Sequence, residues 1–278
     1  MSPRIAQKLL DLDRRWLYLL LFLVVTISHL LPIKTPAVPL PWSQKAWDAV
    51  EAVPDDKIII INSSWGLGSR GENMPQLTAL LTHVMAKRKK FVLATFYPTG
   101  LPVAQSVLGP KVAEYGYRYG EDYLTGKYSP QADNFVKAFA ANPIEALGND
   151  GVQKRSMTSF PMMQNIKSLD DIALVIEVSA SGFHEPWIRY LPQKPVIFFP
   201  TSIMAPEALP YLDAGQLEAI VWGVKGAYDY ELLNEKAGIG RLGIGSRYAA
   251  PLSAGIGLMV LAVVIGNIAA VVVKRGEK

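Results

Sequence analysis

One short segment contains the side chains that acyl-transfer enzymes use. Ser179 and Ser181 supply hydroxyls, His184 supplies an imidazole and Glu185 supplies a carboxylate. In a catalytic triad, however, the fold brings the histidine to the serine and a third group orients it, so neighbours in sequence do not supply the geometry. The chain also lacks a G-x-S-x-G nucleophile elbow. The pattern therefore favours a loop that enters a helix, with a hydrolase or transferase as the alternative.

A glycine pattern suggests a second chemistry, the binding of a dinucleotide. Gly66, Gly68 and Gly71 have G-x-G-x-x-G spacing and follow an apolar run at 58–61. In the dinucleotide fingerprint the first glycine directly follows a strand, the third opens a helix, and a carboxylate about 20 residues later holds the ribose. Here residues 62–65 intervene, the helical pattern starts only after residue 73, and the next strand ends without a carboxylate. We therefore predict a recognition loop that binds no cofactor.

Metal chemistry has weaker support. The chain has 3 histidines and no cysteine, so thiolate ligands, disulfides and thiol catalysis are excluded. His29 lies in an apolar N-terminal run, and His83 lies off the apolar stripe of a predicted helix. These residues form no ligand cluster, and the sequence predicts no metal site.

The segments that position these residues alternate between strands and helices. Short apolar runs rich in β-branched and aromatic residues are typical of strands covered on both faces of a parallel sheet. Such runs occupy 57–62, 91–96, 172–179, 195–199 and 217–222. Helical patterns start after Asn73 and recur at 102–115, 133–147, 185–191 and 225–237. The alternation predicts a Rossmann-like, three-layer α/β domain with a mostly parallel sheet.

Ligands of open α/β sheets bind outside the carboxyl ends of the strands. The residues at the predicted strand ends form the candidate edge for a ligand or an interaction, and many of them carry hydroxyl groups. They are Asn62, Ser63, Ser64, Trp65, Arg70, Tyr97, Thr99, Ser179, Ser181, His184, Thr201, Ser202 and Lys225. The same residue types are common in turns and helix caps, so a purely structural role is the alternative.

Residues 116–164 are less regular and are predicted to form an insertion or a subdomain. Tyrosines are concentrated at its start, and tyrosine favours interfaces because it joins an apolar ring to a polar tip. The five residues are Tyr115, Tyr117, Tyr119, Tyr123 and Tyr128. We consider two roles for them, packing within their own domain and contact with another protein.

Two uncharged apolar runs predict membrane spans at 16–32 and 252–273. The second is about 33 Å long as a helix, which matches a hydrocarbon core of about 30 Å. The first lacks a small-x-small cleavage site and is predicted to be an uncleaved signal anchor. Basic residues lie outside both runs, in an amphipathic segment at 1–15 and a tail at 274–278. By the positive-inside rule both termini are predicted to be cytoplasmic, with a proline-rich linker at 33–43 and an extracytoplasmic domain at 44–247.

The second predicted span has a polar residue beside a stripe of small residues. Ala262, Gly266 and Ala270 recur every four residues, and Asn267 lies next to them. Small residues let another helix approach closely, and an amide in a bilayer seeks a hydrogen bond from a neighbouring helix. The partner helix is either the first span of the same chain or a helix of another chain.

Charge and composition narrow the class of function. The net charge is +4, but basic residues concentrate at the predicted cytoplasmic ends, so the central domain is near neutral and nucleic acid is not an expected partner. We therefore expect a non-catalytic subunit of a complex in the cell membrane, in a homo- or hetero-oligomer. A tethered domain that binds an unidentified small ligand is the first alternative, and a membrane-bound hydrolase or transferase is the second.

Overall fold

The computed structural model describes residues 1–31 and 37–276. The chain forms two compact units, one of Met1–Pro36 with Ser246–Lys278 and one of Ala37–Gly245. Residues 32–36 of the predicted first span and linker lie outside the described residues, as do residues 277 and 278 of the predicted basic tail.

The unit Ala37–Gly245 contains a six-stranded parallel sheet, which confirms the predicted α/β class. The strands are β1 (Ile58–Ser64), β2 (Lys90–Thr95), β3 (Tyr123–Tyr128), β4 (Ile172–Ser179), β5 (Val196–Pro200) and β6 (Ala219–Ile220). Their order across the sheet is β3-β2-β1-β4-β5-β6, and each neighbouring pair is parallel. The chain therefore builds one half of the sheet from β1 to β3 and the other half from β4 to β6.

Eleven α-helices complete the described chain. They are α1 (Pro3–Leu10), α2 (Arg14–Leu30), α3 (Pro41–Glu51), α4 (Arg70–Ala86), α5 (Gly100–Tyr115), α6 (Ala132–Ala141), α7 (Pro143–Leu147), α8 (His184–Tyr190), α9 (Ala205–Asp213), α10 (Gly223–Lys236) and α11 (Ile244–Gly276). Helices α3, α4, α5 and α10 cover one face of the sheet, and α6, α7, α8 and α9 cover the other.

The isoleucines of β1 show why this strand lies at the centre. Ile59 and Ile61 pack into the core under α4, whereas Ile58 and Ile60 pack into the core under α8. All four side chains are fully buried. Successive side chains of a strand point to opposite faces, so a run of isoleucines requires cover on both sides.

One predicted helix boundary was wrong, and one strand was missed. The predicted helix after Asn73 begins at Arg70, because Asn73 and Gln76 face the sheet instead of capping the helix. The Gln76 side-chain amide donates to the carbonyls of Pro200 and Val221, each at 2.8 Å. The segment 116–164 supplies the edge strand β3, whose glycine and exposed end gave no strand pattern. It also supplies α6 and α7 and belongs to the same compact unit as the other strands.

His83 is buried, although the sequence pattern placed it off the apolar stripe. Its Nε2 lies 3.0 Å from Glu51 Oε1 on α3, and its Nδ1 lies 2.9 Å from the Tyr230 hydroxyl on α10. The Trp47 ring stacks on the imidazole with a centroid distance of 4.5 Å. Burial lowers the pKa of His83 to about 4, against the opposing effect of Glu51. The neutral imidazole therefore joins α3, α4 and α10.

The unit of the two chain ends contains α11, with 33 residues and a mean hydropathy of 2.7 over its most apolar window. It is the one helix in the described part of the chain that is long and apolar enough to cross a membrane. Helix α2 is shorter, with 17 residues, and contacts α11. A Cβ atom at Gly255 of α11 would lie 3.6 Å from Val25 and 3.8 Å from Leu21 of α2.

Candidate functional site

The candidate site lies at the carboxyl ends of β1 and β4, where the strand order reverses. The chain leaves β1 toward β2 on one side of the sheet and leaves β4 toward β5 on the other. Loops that diverge in this way open a crevice in many α/β proteins. The structure places the ends of both strands side by side, since Ser64 pairs with Ser179 in the register of the sheet.

A buried polar cluster lies directly below this edge. Asn62 of β1 and Glu177 of β4 are register partners, and the Asn62 Nδ2 group donates to Glu177 Oε2 at 2.6 Å. Trp187 of α8 donates to the same oxygen through Nε1 at 3.0 Å. Ser64 accepts a second Asn62 bond at 2.7 Å. We call these four residues and His184, which is one helical turn before Trp187, the Glu177 cluster.

Glu177 is protonated at neutral pH. Its side chain is fully buried, and burial raises the pKa of Glu177 from its usual 4.5 to about 8, although bonds from Asn62, Trp187 and Ser64 act in the opposite direction. Burial penalises the charged carboxylate more than these neutral donors stabilise it. The cluster therefore presents an uncharged carboxyl group at neutral pH.

His184 is also uncharged at neutral pH. Its ring stacks on Phe198 with a centroid distance of 4.2 Å and meets Tyr211 edge-on at 5.4 Å. Burial lowers the pKa of His184 to about 4. Phe198 is the register partner of Glu177 on β5, so the imidazole and the carboxyl group lie over neighbouring strands under α8.

Several polar atoms of this region have no hydrogen-bond partner among residues 1–31 and 37–276. Two belong to the Asn62–Glu177 pair, Asn62 Oδ1 and Glu177 Oε1, and two are the ring nitrogens of His184. Ser63 Oγ, Trp65 Nε1 and Thr201 Oγ1 are the others near the strand ends. Buried polar atoms are nearly always paired, so these are the atoms of the site that a bound water or ligand would satisfy.

The structure does not bring the acyl-transfer residues together. The Ser179 hydroxyl donates to the carbonyl of Ser64 at 3.1 Å and accepts from the amide of Ser181 at 3.0 Å. The His184 ring makes no bond to either serine. Glu185 forms an ion pair at the surface, with its Oε2 atom 3.9 Å from Arg189 Nη2. These contacts stabilise the turn after β4 and assemble no triad.

Two sequence arguments against a dinucleotide loop were wrong. Strand β1 extends through Ser64, so only Trp65 separates it from Gly66, and Gly71 is the second residue of α4. The loop therefore does join a strand to a helix.

The glycines nevertheless do not form a phosphate cradle. A Cβ atom at Gly66 would lie 2.7 Å from the Tyr97 ring, so Gly66 serves the packing of two loops. The first turn of α4 contains Glu72, whose Oε2 accepts from the amide of Ser202 at 2.7 Å and from its hydroxyl at 2.6 Å. A carboxylate at a helix N-terminus opposes the binding of a pyrophosphate there. Glu72 therefore adds an electrostatic argument against dinucleotide binding to the one given by the missing ribose carboxylate.

Large apolar side chains are exposed at this edge. Leu67, in the loop after β1, is 71% exposed, and Ile203, in the loop after β5, is 80% exposed. Tyr97, after β2, is 39% exposed, and Arg70, the first residue of α4, is also exposed. Among the predicted edge residues, Asn62, Ser63, Ser64, Trp65, Ser179, His184 and Thr201 are buried. The edge therefore presents apolar and cationic side chains above a buried polar layer.

Two predicted edge residues make no contact with the cluster. Lys225 forms an ion pair with Asp229 within α10, and its amine donates to the carbonyl of Val38 at 3.2 Å. This position ties α10 to the segment before α3. Thr99 is exposed at the start of α5 and lies near Gly66, where a Cβ atom would meet its hydroxyl at 3.3 Å.

The tyrosines of the irregular segment bond mainly within their own domain. Tyr117 is buried, and its hydroxyl donates to the carbonyls of Lys89 at 3.0 Å and Val84 at 3.2 Å. Tyr119 bonds Asp150, Tyr115 bonds the carbonyl of Ile239 at 3.3 Å, and the Tyr123 ring stacks on Phe91. Burial thus withdraws Tyr117 from contact with another chain. Tyr128 is the exposed member of the group.

Glu177 and Trp187 were missed by the sequence analysis. The run Ile172–Ser179 has the sequence IALVIEVS, and its single glutamate was absorbed into an apolar strand pattern. A lone carboxylate inside such a run was the available signal, because a charged side chain is rarely buried without a partner.

Comparison of the chain with family models, curated proteins and solved structures found no match.

We predict that Glu177→Gln reduces the dependence of stability on pH. A raised folded-state pKa makes the free energy of unfolding fall as pH rises from 4.5 through about 8. Between pH 6.5 and 8 the wild-type slope should exceed the variant slope by up to about 1.4 kcal/mol per pH unit, measured by urea unfolding. Both buried histidines are neutral in the folded protein in this window. They lower the free energy of unfolding only as the pH falls below it.

The matched control is Glu185→Gln, because the Glu185 side chain is 45% exposed and lies one residue after His184. It should retain the wild-type slope. Equal slopes in wild type and Glu177→Gln would show that Glu177 is ionised in the folded protein.

Proposed function

We propose that this protein is a non-catalytic, membrane-anchored subunit of a membrane protein complex. Its α/β domain contacts a partner protein through the carboxyl edge of the sheet. The observation that carries this proposal is the exposure of Leu67 and Ile203 at that edge. Large apolar side chains exposed on neighbouring loops are typical of protein contact surfaces.

The arrangement of polar groups at the edge supports contact over catalysis. The exposed Ser202 hydroxyl is held by Glu72, and the Ser179 hydroxyl is held by backbone groups. Among the described residues, Ser179 has no base beside it, and the Glu72 oxygen that accepts from the Ser202 hydroxyl also accepts from the Ser202 amide, so this contact fixes the turn after β5. Arg70 adds one cationic side chain next to Leu67, and arginine is enriched in protein interfaces.

Membrane anchoring supports the same assignment. Helix α11 is long and apolar enough to span a bilayer, and we propose that α2 is a second, shorter span that acts as a signal anchor. The 17 residues of α2 extend about 25 Å, so it needs flanking residues or a locally thin bilayer to cross. Both termini are then cytoplasmic, and the domain at 44–247 is periplasmic or extracellular, as the flanking basic residues predict.

The Rossmann-like assignment is part of the proposal. The order β3-β2-β1-β4-β5-β6 is that of doubly wound folds that bind ligands where the strand order reverses. Fold alone assigns no function, and here the reversal point carries the buried Glu177 cluster.

A second candidate function is the binding of a small ligand under α8. It is favoured by the unpaired atoms of Asn62, Glu177 and His184. At neutral pH the cluster has no charge, so it would accept a neutral ligand with hydrogen-bond donors and acceptors, such as a polyol or a primary amide. Access requires α8 to move, because these residues are buried.

We expect a photoreactive amino acid at position 67 or 203 to crosslink the partner in native membranes. Both positions should yield one product of the same mass, because they lie on the same contact surface. Position 193, an exposed residue in the turn before β5 at the opposite edge, is the control and should yield no such product. Absence of crosslinks at both 67 and 203 would contradict contact through this edge.

For the second candidate, a neutral polyol or amide should raise the melting temperature of the wild-type protein in a concentration-dependent way. His184→Phe keeps an aromatic ring against Phe198 and removes both ring nitrogens, so it should abolish the shift. Equal shifts in both proteins, or none in either, would indicate that the unpaired atoms bond buried water.

The topology predicts that a reporter fused after residue 278 remains cytoplasmic. A protease added outside intact cells or spheroplasts should cleave within 44–247 but spare the reporter. An exported reporter, or a central domain that the external protease reaches only after lysis, would reverse the assignment.

A further inference from the structure

Helix α11 has two differently covered faces. Pro251, Gly255 and Ala269 are buried and form the covered face, and Gly255 contacts α2 through Leu21 and Val25. The predicted small residues Ala262 and Gly266 are partly covered, whereas Ala270 and Asn267 are exposed. The contact between α2 and α11 therefore accounts for part of the small-residue stripe, but it does not cover Asn267.

Asn267 lies on the other side of α11. At about 100° per residue it is about 120° around the helix from Gly255 and about 160° from Ala269. Its side-chain amide forms no hydrogen bond with residues 1–31 or 37–276. Val263, one turn before it, is 62% exposed, so the described part of the chain leaves this face uncovered.

The position of Asn267 along the helix prevents its amide from reaching water. It precedes Lys274 by seven residues, or about 10 Å, and the apolar run continues on both sides. Long basic side chains can extend to the membrane surface from such a depth, but the short asparagine side chain cannot. An unpaired amide in the hydrocarbon region is unfavourable, so a partner group from another helix is needed.

We propose that the Asn267 faces of two copies of this chain pair in the membrane, with each Asn267 amide bonded to that of the other copy. An amide carries both a donor and an acceptor, so two identical amides satisfy each other across a twofold axis. Copies of one chain have the same orientation and place Asn267 at the same depth. The face has no charged residue between Leu252 and Val273 that would require an acidic or basic partner.

Neighbouring residues allow the two helices to approach. Ala270 is small and lies one turn after Asn267, and a Cβ atom at Gly266 would meet no described atom within 4 Å. Small residues beside a polar residue are typical of close helix pairs in membranes. This inference rests on the proposed membrane span of α11 but not on the carboxyl edge, so it can fail while the proposed partner contact stands, and the reverse.

Disulfide crosslinking of the full chain in native membranes tests the pairing. The chain has no cysteine, so Val263→Cys reports contact on the Asn267 face without background. Leu261→Cys is the matched control, since Leu261 is 55% exposed at a similar depth and lies about 120° away from Asn267. We expect a product of twice the chain mass with Val263→Cys and little with Leu261→Cys.

Adding Asn267→Leu to Val263→Cys should lower the crosslinked fraction about threefold to tenfold, and Asn267→Gln, which restores an amide, should retain more of it. Equal amounts of each variant in the membrane fraction exclude a defect in insertion. Equal crosslinking at 261 and 263, no effect of Asn267→Leu, or a product whose mass identifies a different protein would overturn the pairing.

Discussion

The burial of β1 and β4 on both faces is the constraint on which the rest of the domain depends. Side chains in the middle of this sheet are buried, so a polar side chain there is costly unless it forms hydrogen bonds. The Asn62–Glu177 bond joins β1 and β4, the two strands at which the strand order reverses. Because Glu177 also accepts from Trp187, the same carboxyl group holds α8 over the carboxyl end of β4. The neutral state of Glu177 follows from this burial.

The covering of the cluster determines what the carboxyl edge can offer. In many α/β proteins polar side chains at the reversal point face an open crevice. Here they are buried, with Trp187 of α8 bonded to Glu177, and the accessible side chains include Leu67, Ile203 and Tyr97 together with Arg70, Thr99 and Ser202. A surface of this composition suits contact with a protein better than the binding of a charged metabolite. Leu67 and Ile203 therefore support the subunit proposal, and the unpaired atoms below support its alternative.

Prediction from sequence succeeded where a short pattern is compatible with only one kind of secondary structure and burial. The continuous apolar runs identified five of the six strands, because such runs are stable only when covered on both faces. Strand β3 escaped because an edge strand with a glycine and an exposed end lacks that pattern. The start of α4 was misplaced because Asn73 resembles a helix cap, and only the position of Gln76 against the ends of β5 and β6 shows that both side chains face the sheet.

The sequence by itself determined the parallel α/β class and an apolar C-terminal helix, because both follow from the period and length of apolar runs. Tertiary structure alone decided the candidate site. It paired Glu177 with Asn62, 115 positions away, buried Ser63, Ser64 and Ser179 of the predicted edge, and left Leu67 and Ile203 exposed. It also separated Asn267 from the face of α11 that contacts α2. The register of neighbouring strands and the rotation of a packed helix depend on contacts between distant segments, and no local pattern records them.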